Sequence, residues 1–173
     1  MSNSTTIEIR IAGSADCESL VAFNLAMAEE TEGKLLDKSV LQAGVNRLLE
    51  NPQFGYYVVA ENRSLNAAKI IGSLMITYEW SDWRNALFWW VQSVYVEPQY
   101  RRQGVYRQLY LFVKERAEAA GGICGFRLYV EKENAIAQQT YSKLGMHESH
   151  YLMFEEECNF PGQQEPGTNG NDF

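Results

Sequence analysis

A mixed β-sheet with helices on its faces, an α/β fold of the α+β mixed-sheet kind, is the class the sequence predicts, in the order βααβββαβαβ. Three observations carry it. Segments rich in β-branched and aromatic residues follow one another in mid-chain, at residues 56–61, 70–80 and 87–96. Helical periodicity appears before and after them, and the later strands alternate with helices, which requires crossover connections. With 173 residues, 46% of them hydrophobic, one sizeable core is feasible.

In chain order, residues 6–12 alternate around Ile7, Ile9 and Ile11 and meet Gly13 and Ser14, a strand followed by a helix start. A helix over 15–30 follows, with Cys17, Val21, Leu25 and Ala28 on one stripe, Asp16 and Glu18 in its first turn, and Gly33 as its stop. Leu41, Val45 and Leu48 set a second helix over 38–50, ended by Asn51 and Pro52. Of the three strands that come next, the one over 87–96 is apolar on both parities, as a central strand covered on both faces should be. Leu109, Phe112, Val113 and Ala117 mark a helix over 105–120 that Gly121 and Gly122 close. A strand over 124–131, a helix over 134–144 carrying Ala137, Tyr141 and Leu144 on one face, and a last strand over 146–156 complete the order. The expected organisation is one domain over 1–158 and a mobile polar tail over 159–173, which holds Pro161, Pro166 and several glycines.

Composition narrows the function. Lys and Arg number 15 against 22 Asp and Glu, a formal charge of -7, which argues against phosphate-backbone binding and hence against a nucleic-acid partner. The longest apolar run, Ala86 through Val91, is far below the roughly 18 residues of a spanning helix, so no membrane partner is expected. The first residues are polar and read as no secretory signal, giving a cytoplasmic expectation. Cys17, Cys124 and Cys158 are odd in number and share no C-x-x-C spacing, which excludes a disulfide framework and a zinc knuckle. His147 and His150, three apart on a predicted strand, would face opposite sides, so no metal is expected. No nucleophile elbow or Ser/His/Asp arrangement occurs.

The chemistry concentrates in two stretches. Val94, Tyr95 and Val96 end a strand, and Glu97, Pro98, Gln99, Tyr100, Arg101, Arg102, Gln103 and Gly104 lead into the helix that Val105, Tyr106 and Arg107 begin. A helix start beyond a strand end presents unsatisfied N–H donors and partial positive charge, and three arginines add full charges, so a pyrophosphate suits it. In isolation, one glycine and three arginines fit an ordinary strand-to-helix turn with solvated arginines better. The second stretch shifts the balance: Asn134, Ala137, Tyr141 and Gly145 follow the strand after that helix at fixed spacing.

Together these motifs resemble the GNAT acetyltransferase superfamily, whose pattern V-x-P-x-x-R-x-x-G-x-G/A precedes N-x-x-A-x-x-x-Y-x-x-x-G-F. Val96, Pro98, Arg101 and Gly104 match the first part, and Asn134, Ala137, Tyr141 and Gly145 the second, with Met146 in place of Phe. The resemblance spans residues 6–156 and implies a GNAT-like fold with about four helices around a mixed sheet. Its implied co-substrate is acetyl-coenzyme A. Pantetheine would pair along Val94, Tyr95 and Val96, amides from Arg102 through Arg107 with Arg101 would hold the pyrophosphate, and Asn134 and Ala137 are further cofactor-binding positions. Tyr106 departs from the small residue that usually closes the first motif, yet the donors are backbone amides, which Tyr supplies if its side chain turns away.

The resemblance further implies acetyl transfer to an amine, with a backbone amide near Val94 polarising the carbonyl and Tyr141 donating to the thiolate. An alkylammonium of pKa about 10.4 must first lose a proton, so a carboxylate or ordered water is needed. The central strand carries no acid, which leaves Glu79, or Glu29 or Glu30, as the base. Glu29, Glu30, Glu32 and Asp37 around the first interhelical loop, with Trp80, Asp82 and Trp83 after the third strand, suit a small cationic amine. This arrangement is loosely similar to the diamine and polyamine acetyltransferase branch. Solvated helix-end acids, with Trp83, Trp89 and Trp90 serving the core or a subunit contact in a homodimer, are an equal reading. Two other functions stay open here: a non-catalytic acetyl-coenzyme A sensor, and a protein or peptide N-acetyltransferase.

Overall fold

The computed structural model describes residues 6–64 and 67–156. Its elements are β1 (Ile7–Ile11), α1 (Cys17–Glu32), α2 (Lys38–Glu50), β2 (Gly55–Asn62), β3 (Lys69–Ser81), β4 (Ala86–Val96), α3 (Val105–Ala120), β5 (Ile123–Arg127) and α4 (Ala135–Lys143). They fall into two units: Met1–Leu128, with the sheet and α1 to α3, and Tyr129–Phe173, with α4.

The five strands lie in sequence order, antiparallel from β1 to β4 and parallel between β4 and β5. This is the mixed sheet that the alternation of strands and helices predicts, with β4 inside it. Alternation divides the strands between two layers. Tyr57 and Val59 of β2 meet Cys17, Leu20 and Val21 of α1 and Val45 of α2 in one buried cluster. Val58, Leu74 and Ile76 have the opposite parity and are wholly buried, as are Leu109 and Val113 of α3. An aromatic series runs through this second layer: Trp89 lies edge-on to Tyr56 at 5.7 Å and to Phe126 at 6.3 Å, and Phe126 meets Tyr110 of α3 at 5.7 Å.

Local chemistry sets the helix ends. Gly33 terminates α1 in the left-handed conformation (φ 63°), two residues later than its hydrophobic stripe indicates. The Asp37 carboxylate caps α2, accepting from the amides of Ser39 (2.7 Å) and Val40 (3.1 Å). Before α1, a single 3-10 turn (Ser14–Asp16) is locked by Asp16, which accepts from Arg10 Nη1 (2.7 Å), Arg10 Nη2 (2.8 Å) and the Gly13 amide (2.8 Å).

Two expected elements differ. The strand expected over 124–131 ends at Arg127, because its ladder with β4 ends at the Trp90–Arg127 pair. The last strand expected over 146–156 does not form. Its apolar run gives β propensity, but a strand exists only through a ladder; here residues 147–156 are exposed, Phe154 by 89%, and the hydrogen bonds between Ser149 and Tyr151 are local ones within the segment. The expected tail over 159–173 lies outside the described residues.

Arg10 holds the Asp16 carboxyl below its ordinary value. A depressed folded value means a stabilising contribution present above about pH 4 and lost as pH falls through that folded value. Asp16→Asn should cost on the order of 2 kcal/mol at neutral pH and flatten the loss of stability on acidification, measured by urea denaturation from pH 7 to 3.

Candidate functional site: the parted strands and the start of α3

Strand β4 carries an irregularity that the rest of the site follows. Its pairing with β3 shifts between Met75–Gln92 and Ser73–Tyr95, so two β4 residues, Ser93 and Val94, oppose Leu74 alone. Ser93 sits at φ 48°, a strained conformation for a residue with a side chain. The inserted residue reverses the alternation. Trp89 packs in the α3 layer before it, whereas Tyr95 packs 5.1 Å from Phe23 of α1 after it. On the other edge, β5 accompanies β4 only from Leu87 to Trp90. From Val91 to Val96 that edge has no partner strand among the described residues, so its backbone groups are open to an extended ligand.

The chain then leaves β4 through a short 3-10 turn (Pro98–Tyr100) and enters α3 by a left-handed pair, Arg102 (φ 62°) and Gly104 (φ 79°). Gly104 is the N-cap and brings no capping side chain, so the first-turn amides of α3 point outward uncapped. Buried Val105 and Leu109 fix the helix start against the sheet, and Arg102 and Arg107 are exposed beside it. The Tyr106 ring stacks on Tyr110 at 6.1 Å, one turn along the helix. Gly72 of β3 makes this close approach feasible: a Cβ there would lie 3.1 Å from the Tyr95 carbonyl oxygen and 3.3 Å from Val105 Cγ1.

Arg101 faces differently from its neighbours. Its Nε donates to the Val96 carbonyl (2.8 Å), its Nη2 donates to Glu30 (2.7 Å), and its guanidinium lies 5.3 Å from the Tyr95 ring centroid. The Tyr95 hydroxyl donates to the other Glu30 oxygen at 3.0 Å, and burial, then Glu30, pushes that phenol above its ordinary value. Glu30 and Arg101 thus brace the end of α1 against the end of β4. Glu29 and Glu32 are exposed nearby, and Glu32 pairs with Lys34 at 2.7 Å.

Glu79 occupies another place. One carboxylate oxygen accepts from Trp90 Nε1 and the other from Arg127 Nη1. Since Trp90 and Arg127 form the last pair before β4 and β5 part, Glu79 sits beside the opening, on the face that α1 covers elsewhere. Glu79 and Ser73, the partner of Tyr95, are six residues apart on β3, about 20 Å at roughly 3.4 Å per residue. Glu30 and Glu79 hold different partners, and at the hairpin tip Trp80 and Trp83 are 59% and 87% exposed. Asp82 at that tip accepts from the Trp83 amide at 2.8 Å, and its carbonyl accepts from the Asn85 amide at 3.2 Å. Trp89 is a core residue.

In the second unit, the Asn134 side chain caps α4 by accepting from the Ala137 amide at 3.0 Å. Tyr141 is half-buried, and burial pushes its phenol above the ordinary value, keeping it protonated at neutral pH. Because residues 146–156 form no strand, the alternation argument about His147 and His150 lapses; among the described residues no three His, Cys, Asp or Glu side chains gather as a metal site.

A sequence model of the acetyltransferase (GNAT) family matches residues 21–146. The chain belongs to the GNAT acetyltransferase family. It is an acetyl-coenzyme A-dependent N-acetyltransferase. A solved structure of a possible acetyltransferase from Clostridium difficile 630 is similar at 45% identity, covering 89% of this chain and 99% of that one, with a TM-score of 0.81. The fold is shared by a Trypanosoma brucei acetyltransferase (19% identity, 88% and 100% covered, TM-score 0.67). It is shared too by the aminoglycoside N-acetyltransferase AAC(6')-Iy in complex with CoA (16%, 91% and 98%, 0.71). No curated protein matches the sequence.

The donor set of this GNAT enzyme fits its co-substrate: an open strand edge suits an amide-bearing arm, and uncapped amides beside Arg102 and Arg107 suit a pyrophosphate. Three positions passed over in the sequence, Gly72, Ser93 and Arg127, belong to the same construction, as does Trp90, which the sequence read as core or a subunit contact. A glycine inside a strand pattern signals close backbone approach, so Gly72 was findable. A serine at positive φ leaves no such signal.

Gly72→Ala should weaken coenzyme A binding about five- to tenfold, because an added methyl forces Val105 and the α3 amides to shift. Gly44→Ala on α2, where a Cβ meets nothing within 4 Å, should leave it unchanged, both read by isothermal titration calorimetry.

Proposed function

We propose that this acetyltransferase acetylates a small cationic primary amine, that Glu79 takes the amine proton, and that the open edge of β4 with the start of α3 holds the co-substrate. Acetyl-coenzyme A supplies the thioester whose acetyl group is transferred. The observation that carries the reading is the place of Glu79, a carboxylate at the last pair before β4 and β5 part. Each carboxylate oxygen keeps a second lone pair beyond the bond it already accepts, so an incoming ammonium or a bridging water has an acceptor there.

In the reaction an ammonium loses one proton to reach the nucleophilic amine, a C–N bond forms as the C–S bond breaks, and the nitrogen sheds a second proton. Glu79 receives the proton of the attacking nitrogen, directly or through water, and solvent the other. The bulge amide near Val94 donates to the carbonyl oxygen as negative charge builds on it. Tyr141, in the N-x-x-A-x-x-x-Y pattern, supplies the proton for the thiolate, and its burial-raised phenol is protonated when needed. Arg102, Arg107 and the amides of Gly104, Val105 and Tyr106 bind the pyrophosphate, while Arg101 holds the loop that presents them. The chain's charge of -7 and the exposed Trp80, Asp82 and Trp83 beyond Glu79 favour a cationic acceptor over an anionic one.

The test is an acceptor screen following coenzyme A release across polyamines, aminoglycosides, amino acids and basic peptides. Small polycationic amines should give the highest kcat/KM, with a steep fall as salt rises; preference for neutral amines or peptides overturns the acceptor class. Glu79→Gln should lower kcat by about 10²- to 10⁴-fold with coenzyme A affinity retained. For Tyr141→Phe the expected loss is about tenfold to several-hundredfold in kcat, and an unchanged kcat returns Tyr141 to a packing role.

A further inference from the structure

We infer that Arg127 and Trp90 are positioning residues that aim the Glu79 carboxylate at the parting of β4 and β5. This rests on the reading of Glu79 as the proton acceptor and adds what makes it one. Glu79 stands on β3 with a flexible side chain, and its two oxygens are held by donors from two other strands, the Trp90 indole of β4 and the Arg127 guanidinium of β5. Two bonds to separate oxygens fix both the reach and the plane of the carboxylate, which one bond does not. The donors are placed in turn. The guanidinium carbon of Arg127 lies 3.8 Å from the Phe88 ring centroid, with Arg84 at 5.1 Å from the same ring. Phe88 has its position because residue 125 is a glycine: a Cβ there would come within 2.9 Å of the ring.

The location argues for a role beyond stability. Glu79 and Arg127 are 37% and 35% exposed in their side chains, and an ion pair so open to water adds little to folding. Yet the pair stands where the sheet stops being continuous, and Trp90 and Arg127 are the last β4 and β5 residues in register. A device that orients one carboxylate there serves a reaction at the opening.

Glu79→Gln, Arg127→Gln, Arg127→Lys and Trp90→Phe are made singly, and the Arg127 and Trp90 changes are repeated on Glu79→Gln. Coenzyme A release from acetyl-coenzyme A is followed with spermidine as acceptor and, in parallel, with water. Arg127→Gln should lower kcat about ten- to a hundredfold and Trp90→Phe about three- to tenfold, the KM for acetyl-coenzyme A staying within about twofold, with Arg127→Lys regaining part of the loss. On the Glu79→Gln background both changes should have effects within about twofold, since there is no carboxylate left to aim. A readout without turnover is the indole N–H resonance of Trp90, assigned by its disappearance in Trp90→Phe; it should move in Glu79→Gln and Arg127→Gln. Losses that add on the Glu79→Gln background, or appear only in KM, or an indole resonance that stays in place, overturn the inference and leave Glu79 as base. A Glu79→Gln enzyme with full kcat overturns the base and this inference together.

Discussion

The parallel ladder between β4 and β5 ends at Trp90 and Arg127, and the site depends on that early end. Had β5 followed β4 to Val96, the edge that now faces outward would be saturated with strand hydrogen bonds. The left-handed Ser93 and the extra residue beside it turn β4 just past this point, so the same backbone that leaves β5 also changes which layer its side chains enter. Tyr95 comes to lie against α1, and the exit of β4 is aimed at the start of α3. Gly72 completes the arrangement by letting Val105 settle on β3 without a methyl in between.

Charge is distributed around this opening in two groups. Near the exit of β4, Glu30 neutralises Arg101 and leaves Arg102 and Arg107 with the helix amides as the positive end. Farther along the sheet, Arg127 neutralises Glu79 in part while Asp82 and the exposed tryptophans face water. Under the proposed function, an anionic co-substrate and a cationic acceptor would meet opposite charge at the two ends of β4.

The helices were legible because periodicity and capping are local: α2 and α3 have the bounds that Asp37, Asn51, Gly104 and Gly121 impose. Five of the six expected strands were legible, but the length of β5 and the existence of a strand over 146–156 were not, since both depend on a neighbour's edge that no run of residues encodes. The turn from β4 into α3 was readable from its glycine and arginine spacing, whereas the role of Arg101 as a brace required knowing that Glu30 lies opposite it in space. Glu79 was one of three candidate bases by composition. Its difference from Glu30 lies in their partners, since Glu79 accepts from Trp90 and Arg127 whereas Glu30 accepts from Tyr95 and Arg101, and no run of residues encodes those pairings. Arg127 carried no signal, because an arginine at a strand end is ordinary, and Trp90 read as core or a subunit contact because its bond to Glu79 depends on strand pairing.

The claim that the parted β4 edge and the uncapped start of α3 form the coenzyme A site is most directly tested by amide hydrogen exchange of the whole protein with and without coenzyme A. The account predicts slower exchange in peptides covering residues 91–96 and 104–107, with little change in β1 and α2. Protection instead at Leu111, Lys114 and Ile123, which line the hollow between α3 and β5, or none at the β4 edge, would contradict it.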